Sequence, residues 1–329
     1  MVWLLLPLAA LYALWANWKK GRSRAHLRQL KLPSKPQIWV VGNLWVGGAG
    51  KTPLVCEIAQ RAVSNGMQVA LISKGYGTKQ QESRLVHPSD TTESVGDEPL
   101  WLARTTGLPV VVGPNRAESI DLLMSTNPDL DLIICDDGLL NAQLVRHREI
   151  VVLDERGLGN RWCIPAGPLR MPFDRHPFMP GALRTWVMST SSQSQHQVSP
   201  MDELQLPWCE VHRELADHLY SLEHPEQTVR VAELSSSSVA AFAGIAKPEI
   251  FFDMLVAAGL HLKLRICYPD HRCPNGDTPH PWGDANIWIC TAKDAVKLHD
   301  LPQAVRNKIW VASLKLHVSD SLWKNLNLN

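Results

Sequence analysis

Short apolar runs alternate with amphipathic stretches from residue 36 onwards, and this alternation predicts the fold. Predicted strands occupy 38–41, 69–73, 109–112, 132–135 and 150–153, and then 239–243, 262–267, 287–290 and 309–312, and most of them are continuously apolar. Stretches with helical periodicity lie between them, at 54–63, 98–106, 117–126 and 248–258. Strands that are apolar throughout and separated by helices indicate an α/β protein whose parallel sheet is covered on both faces.

A glycine-rich segment joins the first predicted strand to the first predicted helix. Residues 47–52 read Gly-Gly-Ala-Gly-Lys-Thr, and a strand, such a loop and a helix N-terminus together cradle phosphate groups. Lys51 would reach the β- and γ-phosphates, and the Thr52 hydroxyl would bind Mg²⁺. The usual motif has glycine where Trp45 stands, so this loop is a variant. The candidate nucleotide-binding residues are Trp45, Val46, Gly47, Gly48, Ala49, Gly50, Lys51 and Thr52.

Two carboxylates end the predicted strand at 132–135. Asp136 and Asp137 follow it directly and precede Gly138. An acidic group at a strand tip beside a phosphate loop can hold Mg²⁺ directly or through water. A pair of turn-forming aspartates is the alternative, and the phosphate loop favours the metal role.

The first segment of the chain differs from the rest. Residues 2–16 are almost wholly apolar and rich in aromatics, and six Lys or Arg side chains follow by residue 31. No basic residue precedes the run, which argues against a cleaved signal peptide, and the run is shorter than the roughly 20 residues that span a bilayer. A monotopic anchor on an anionic membrane surface is favoured. A single-span signal anchor and a helix docked on the protein's own core are the alternatives.

Length and composition set the domain organisation and exclude some classes. A chain of 329 residues is long enough for two α/β domains, and 190–197 is polar and of low complexity. We predict an N-terminal segment 1–31, a phosphate-loop domain 36–189, a linker 190–207 and a smaller α/β domain 208–329. The net charge of +1 gives no general attraction to nucleic acid, and seven cysteines without a C-x-x-C pair argue against a zinc site or a disulfide framework.

Several polar motifs follow predicted strands or open helices. Asp97 stands in Gly-Asp-Glu-Pro, where it would serve as a helix cap or as a catalytic carboxylate. His271 follows the strand at 262–267, Lys74 and Tyr76 lie in Lys-Gly-Tyr-Gly after the second strand, and Arg170 follows a tight turn. Each motif alone is weak, and a surface position for His271 is the simpler interpretation.

The order of the motifs is far more specific than any one of them. The series runs G-N-L-W-V-G-G-A-G-K-T-P from Gly42, K-G-Y-G from Lys74, G-D-E-P from Gly96, D-D-G-L from Asp136, P-A-G-P-L-R from Pro165, F-A-G-I-A from Phe242, P-D-H from Pro269 and T-A-K-D-A-V-K from Thr291. This series resembles the tetraacyldisaccharide 4′-kinases of lipid A biosynthesis. The resemblance implies transfer of the γ-phosphoryl of ATP, with Mg²⁺, to the 4′-hydroxyl of a tetraacylated glucosamine disaccharide 1-phosphate. It also implies work at the cytoplasmic face of the inner membrane of a Gram-negative bacterium, with a lipid substrate and no protein or nucleic-acid partner.

The resemblance also implies roles for individual residues. The matching positions are Lys51 and Thr52 at the phosphates and metal, Asp136 and Asp137 near the metal, Asp97 and His271 as a proton-accepting dyad, Arg170 at the transferred phosphoryl, and Lys74, Tyr76 and Asn43 at the lipid substrate. The chain departs from the family pattern at Trp45, Lys74, Leu140, Arg272 and Ala292. A phosphate-loop NTPase switch and a catalytically weakened paralogue therefore remain as alternatives.

Overall fold

A continuous sheet with helices on its faces organises the computed structural model of the chain. The structure describes residues 2–27, 33–78, 81–141, 144–191, 202, 204–274, 282–283 and 285–328. The strands are β1 Gln37–Asn43, β2 Val69–Ser73, β3 Arg84–Leu85, β4 Val110–Val112, β5 Leu132–Asp136, β6 Arg148–Asp154, β7 Leu183–Ser191, β8 Trp208–Ser221, β9 Thr228–Arg230, β10 Val239–Ala243, β11 Leu262–Cys267, β12 Ile287–Thr291 and β13 Ile309–Val318. The helices are α1 Val2–Leu27, α2 Lys51–Ser64, α3 Thr92–Val95, α4 Asp97–Thr106, α5 Arg116–Thr126, α6 Pro248–Ala257, α7 Ala292–Ala295, α8 Gln303–Arg306 and α9 Asp320–Leu326.

The sheet consists of two parallel sets of strands. The order across it is β11-β10-β12-β13-β8-β7-β6-β1-β5-β2-β4-β3, with β9 paired to β8. Strands β7, β6, β1, β5, β2 and β4 run parallel to one another, as do β11, β10, β12 and β13. The mostly parallel α/β sheet predicted from the apolar runs is confirmed.

The long strand β8 joins the two sets and decides where they meet. Its first half pairs in parallel with β7, so that Ser191 lies opposite Arg213. From Val211 to its end it pairs antiparallel with β13, so that Ala312 lies opposite Leu219, and Ala312 in turn lies opposite Thr291 of β12. The carboxyl edges of both sets therefore face each other over the middle of β8. Ligands of parallel sheets bind at these edges.

Alternating side chains of the central strands divide between two cores. Trp39 and Val41 of β1 face the core under α2 and α4, whereas Ile38 and Val40 face the core on the opposite side. Successive side chains of a strand point to opposite faces, so a strand buried on both sides is apolar without alternation. This is why the short central strands were predictable from the sequence.

The sequence missed the strands around the junction. Strand β8 has 14 residues, most of them half-buried or exposed, and it carries polar side chains towards the cleft. Such a strand gives no continuous apolar run. The predicted linker 190–207 falls between β7 and β8, which pair directly, so one sheet extends through both predicted domains. Residues 192–201 of that linker lie outside the described residues, and the division into domains remains a prediction.

The N-terminal segment forms the single helix α1, which lies against the body of the protein. Tyr12 and Ala13 pack on the core, and Ala9 and Leu27 are buried. Other apolar side chains of α1 face outward, including Trp3 at 82% and Leu4 at 81% exposure. No helix in the described part of the chain has the length and apolar character required to cross a membrane.

Candidate active site

A cleft of about 1140 Å³ lies between the two facing carboxyl edges of the sheet. Most of the residues selected from the sequence line it, namely 46–52, Lys74, Tyr76, Asp136, Asp137, Arg170 and His271. These residues come from segments separated by up to about two hundred positions. The fold therefore brings together motifs that the sequence could place only in order.

The phosphate loop has the backbone that its glycines permit. Gly47 and Gly50 have φ values of 100° and 74°, a left-handed region that side chains with a Cβ seldom enter. Helix α2 begins immediately afterwards, at Lys51. The unpaired N–H groups and positive end of its dipole favour a bound anion.

Lys51 and Arg170 converge on one carboxylate beside the loop. Lys51 Nζ lies 3.6 Å from Asp137 Oδ1 and 3.3 Å from Asn43 Oδ1. Arg170 donates to both oxygens of Asp137, at 3.1 and 2.9 Å, and to the carbonyl of Asn43 at 3.0 Å. Burial opposes ionisation of Asp137, but Arg170 and Lys51 lower its pKa to about 2. Two cations thus lie side by side next to the phosphate loop.

Asp136 has the opposite environment and fits a metal ligand. Both of its carboxylate oxygens are buried without a hydrogen-bond partner among the described residues. Burial raises its pKa to about 7, and the charges of Glu98 and Asp137 act in the same direction, whereas the charge of Lys51 and the nearby Thr52 hydroxyl oppose the shift. A buried, unsatisfied carboxylate is costly unless a cation completes it. Mg²⁺ needs only one or two carboxylates together with phosphate oxygens, and Thr52 lines the same cleft as Asp136.

Asp97 and His271 lie 174 positions apart in sequence and are in direct contact. His271 Nδ1 lies 3.0 and 2.9 Å from the two carboxylate oxygens of Asp97. His271 has a left-handed backbone, with φ of 65°, and its N–H donates to the carbonyl of Gly244 at 3.1 Å. An unusual backbone held by a hydrogen bond fixes the direction of the imidazole. The pair that the family resemblance suggested is therefore formed in this fold.

Two lysines of α7 and the following turn surround the same carboxylate. Lys293 and Lys297 Nζ lie 3.9 and 3.8 Å from Asp97 Oδ2, and Lys293 also binds Glu98 at 2.9 Å. Burial opposes ionisation of Asp97, but the hydrogen bond from His271 and the charges of both lysines lower its pKa to about 2. Asp97 is thus held as an anion at neutral pH and is buried behind the imidazole.

Two of the predicted substrate residues, Tyr76 and Lys74, line the cleft, whereas the third, Asn43, is buried. Tyr76 is exposed, and its ring lies 4.8 Å from the His271 ring between centroids. Lys74 also lines the cleft. Asn43 is fully buried, and its side chain donates to the carbonyl of Gly47 at 3.0 Å while accepting from Arg170 and Lys51. Asn43 therefore holds the phosphate loop and the two cations in place through buried hydrogen bonds.

Trp45 points away from the cleft. Its ring lies 3.8 Å from the Arg156 guanidinium, and its indole N–H donates to the carbonyl of Gly157 at 2.8 Å. Arg156 binds Asp154, which is 1% exposed and also receives Lys247 at 2.9 Å. The bulky residue at the start of the variant loop is thus accommodated by packing on the segment after β6.

Sequence reasoning missed the residues that support the site. Lys293 and Lys297 lie in the motif that begins at Thr291, to which the sequence assigned no role. Their spacing of four was the available signal, because it places both side chains on one side of a helical turn. Asp154 follows a predicted strand, which is the signal that identified Asp136. Lys247 and Arg213 gave no signal, because their importance depends on where β8 and β10 bring them.

Comparison with known proteins identifies a family. The family model described as tetraacyldisaccharide-1-P 4′-kinase matches residues 1–328. A tetraacyldisaccharide 4′-kinase of Chromobacterium violaceum is 37% identical over 328 residues, covering 97% of this chain and 92% of its own. That of Polaromonas naphthalenivorans is 36% identical over 320 residues, covering 95% of this chain and 86% of its own.

A solved structure has the same fold. The LpxK of Aquifex aeolicus, crystallised in complex with ATP, matches with a TM-score of 0.75 and 24% identity, covering 99% of this chain and 98% of that one. The match of fold, together with the family model and the curated relatives, extends over almost the whole chain. The chain therefore belongs to the tetraacyldisaccharide-1-phosphate 4′-kinase family.

Proposed function

We propose that this protein transfers the γ-phosphoryl of ATP to the 4′-hydroxyl of a tetraacylated glucosamine disaccharide 1-phosphate. The observation that carries the proposal is the Asp97–His271 pair, hydrogen-bonded at 2.9 Å in the same cleft as Lys51. A switch NTPase hydrolyses its nucleotide at the phosphate loop and needs no such pair, because it has no alcohol acceptor to deprotonate. The names of the relatives and the ATP bound to the Aquifex aeolicus protein agree with this assignment.

The nucleotide would bind with its phosphates on the loop 46–52. Lys51 and Arg170 would stabilise the charge on the transferred phosphoryl, since preorganised cations are the main means of catalysis in phosphoryl transfer. Thr52 and Asp136 would hold Mg²⁺, with Asp137 beside them. A metal ion bound there would neutralise negative charge on the phosphates.

The proton of the acceptor hydroxyl would pass to His271. Both oxygens of Asp97 already face Nδ1 of the imidazole, and the carboxylate is only 5% exposed. Asp97 therefore holds Nδ1 protonated, and Nε2 is the nitrogen available as base. The 4′-oxygen forms a bond to the γ-phosphorus, the bond to the β-phosphate oxygen breaks, and ADP leaves. Asp97 then stabilises the imidazolium.

Helix α1 would hold the enzyme on the cytoplasmic face of the inner membrane. Its outward face carries the apolar side chains Trp3, Leu4, Leu8, Leu11, Leu14, Trp15 and Trp18, whereas its inner face packs on the protein. Lys19 lies over the ring of Trp15 and Arg22 over that of Trp18, where cations would meet anionic headgroups. The hydroxyl of Tyr12, on the inner face, donates to the carbonyl of Arg170 at 2.8 Å, so α1 contacts the backbone of the proposed catalytic arginine.

The activity is tested with the purified chain, radiolabelled ATP, Mg²⁺ and tetraacyldisaccharide 1-phosphate in mixed micelles. We expect label in the lipid at the 4′ position, located by tandem mass spectrometry. Hydrolysis of ATP at the same rate with and without the lipid, and no labelled lipid, would favour the switch and reject the kinase.

The membrane role is tested separately by sedimentation with vesicles containing anionic lipid. Leu8→Glu and Leu11→Glu together should reduce the bound fraction, because two charges enter the apolar face. Val256→Glu replaces an exposed apolar residue on α6 and serves as the matched control. Equal binding of both variants would show that α1 is not the anchor.

A further inference from the structure

A buried carboxylate outside the proposed catalytic set connects the two walls of the cleft. Asp154 ends β6, next to the strand that leads into the phosphate loop. Arg156 Nε binds its two oxygens at 2.8 and 3.0 Å and extends Nη2 to the carbonyl of Gly48 at 3.4 Å. Lys247 approaches the same carboxylate from the opposite wall, at 2.9 Å.

Lys247 belongs to the turn that touches the phosphate loop. It precedes α6 and follows β10, and its neighbour Ala246 is so close to Gly48 that a Cβ added there would lie 3.3 Å from the Ala246 Cβ. The Lys247 side chain is 26% exposed and lines the same cleft as Lys51. Its ammonium has three donors, of which Asp154 uses one.

The charges in this cluster are not balanced. Two carboxylates, Asp154 and Glu155, face three cations, Arg156, Arg213 and Lys247. Arg156 is already engaged with Asp154 and the Trp45 ring, and Arg213 is 11% exposed and lies against Gly50 with Glu155 at 3.7 Å. Arg213 and Lys247 both line the cleft, and Lys247, at 26% against 11% exposure, is the more accessible of the two to a ligand. A phosphate chain is the anion that the loop is built to receive.

We propose that Lys247 is a ligand of the ATP phosphate chain contributed by the wall opposite the phosphate loop. Its ammonium stays bound to Asp154 and donates a further hydrogen bond to a phosphate oxygen. The nucleotide then connects the β10–α6 turn to the loop and draws the two walls together. This inference rests on the proposed kinase function, because it assigns a residue to the nucleotide of that reaction.

The test measures affinity for a non-hydrolysable ATP analogue with Mg²⁺ by calorimetry. Lys247→Gln should weaken binding about 10- to 100-fold, which is the range for one charge-assisted hydrogen bond. Lys247→Arg retains the charge and should recover part of the affinity. Lys324→Gln, on the exposed side of α9, is the matched control and should bind as the wild type does.

Kinetics separates a nucleotide contact from a purely structural ion pair. With a phosphate contact, Lys247→Gln raises the KM for ATP and leaves the KM for the lipid unchanged. With a structural role only, the variant unfolds at lower temperature while the folded fraction binds the analogue with wild-type affinity, and that result overturns the inference. Wild-type protein that fails to bind the analogue would overturn the proposed function itself.

A measurement on the wild type covers the case in which the variant does not fold. Lysine side chains are modified with a small acylating reagent, with and without the ATP analogue and Mg²⁺, and read by mass spectrometry. We expect the analogue to protect Lys247 as well as Lys51, whereas Lys324 is modified equally in both samples. Protection of Lys51 without Lys247 would reject the proposed contact.

Discussion

Replacing Asp97 by Asn tests whether the charge of Asp97 contributes to catalysis by His271 as well as to stability. The change keeps the size of the side chain and removes its charge. In the structure that charge meets Nδ1 of His271 at 2.9 Å and two lysine ammonium groups at 3.8 and 3.9 Å. The variant should therefore lose both catalysis and stability, and the two losses have different sizes.

The stability loss follows from the pKa of Asp97. That pKa is about 2 in the folded protein, against an ordinary value of 3.8. Each unit corresponds to about 1.4 kcal/mol, so the ionised carboxylate contributes about 2–3 kcal/mol to the free energy of unfolding at neutral pH. Because the folded pKa is lowered, this contribution is complete above about pH 5 and disappears as the pH falls through 3.8 towards 2. Urea unfolding at pH 7 and at pH 3 should show the difference between wild type and Asp97→Asn shrinking with acidification.

The catalytic loss should be larger. A neutral Asn does not stabilise the imidazolium, and its NH2 group can donate to Nδ1 and so favour the wrong tautomer. General-base catalysis with its orienting group contributes about 10²–10⁴ in rate. The assay is kcat for lipid phosphorylation at a temperature where the variant is fully folded. Asp121→Asn, on the exposed side of α5, is the control for an Asp-to-Asn change and should keep full activity. If Asp97→Asn kept a third of the wild-type turnover, Asp97 would be only a structural ion-pair partner.

Three further outcomes follow from the site. Lys51→Ala should lower kcat by about 10²–10³ or more with little change in thermal unfolding, because a fixed cation at the developing charge is lost; normal turnover would remove Lys51 from the mechanism. In the Asp97→Asn, His271→Ala double variant, kcat should be little lower than in the worse single variant, since residues acting as a unit are not additive; fully multiplicative losses would reject the dyad. Asp136→Asn should raise the stability of the nucleotide-free protein at pH 8, because it removes a buried, unpaired charge, and it should lower Mg²⁺-dependent ATP binding. If urea unfolding showed the variant to be less stable, the environment assigned to Asp136 would be wrong.

Sequence patterns could not predict that Asp97 and His271 are in contact. The spacing around Asp97 fitted a helix cap as well as a catalyst, and His271 alone resembled a surface residue. Only the family resemblance joined them. Their contact depends on β8, which turns the second set of strands so that its carboxyl edge faces the first. No local pattern carries that information, because it arises from pairing between distant strands.

The sequence by itself determined the phosphate loop, the short buried strands and the order of the motifs. Each of these features depends on a few neighbouring residues and is therefore visible in the sequence. They are the glycines with positive φ, the lysine at a helix start and the strands that are apolar on both faces. The tertiary structure decided which charges meet. The low pKa of Asp97, the high pKa of Asp136 and the bridge from Lys247 to Asp154 depend on burial and on partners tens to hundreds of residues away. Burial and distance are properties of the folded chain. The features of Asp97 and Lys247 further require that the carboxyl edges of both sets of strands meet over the middle of β8.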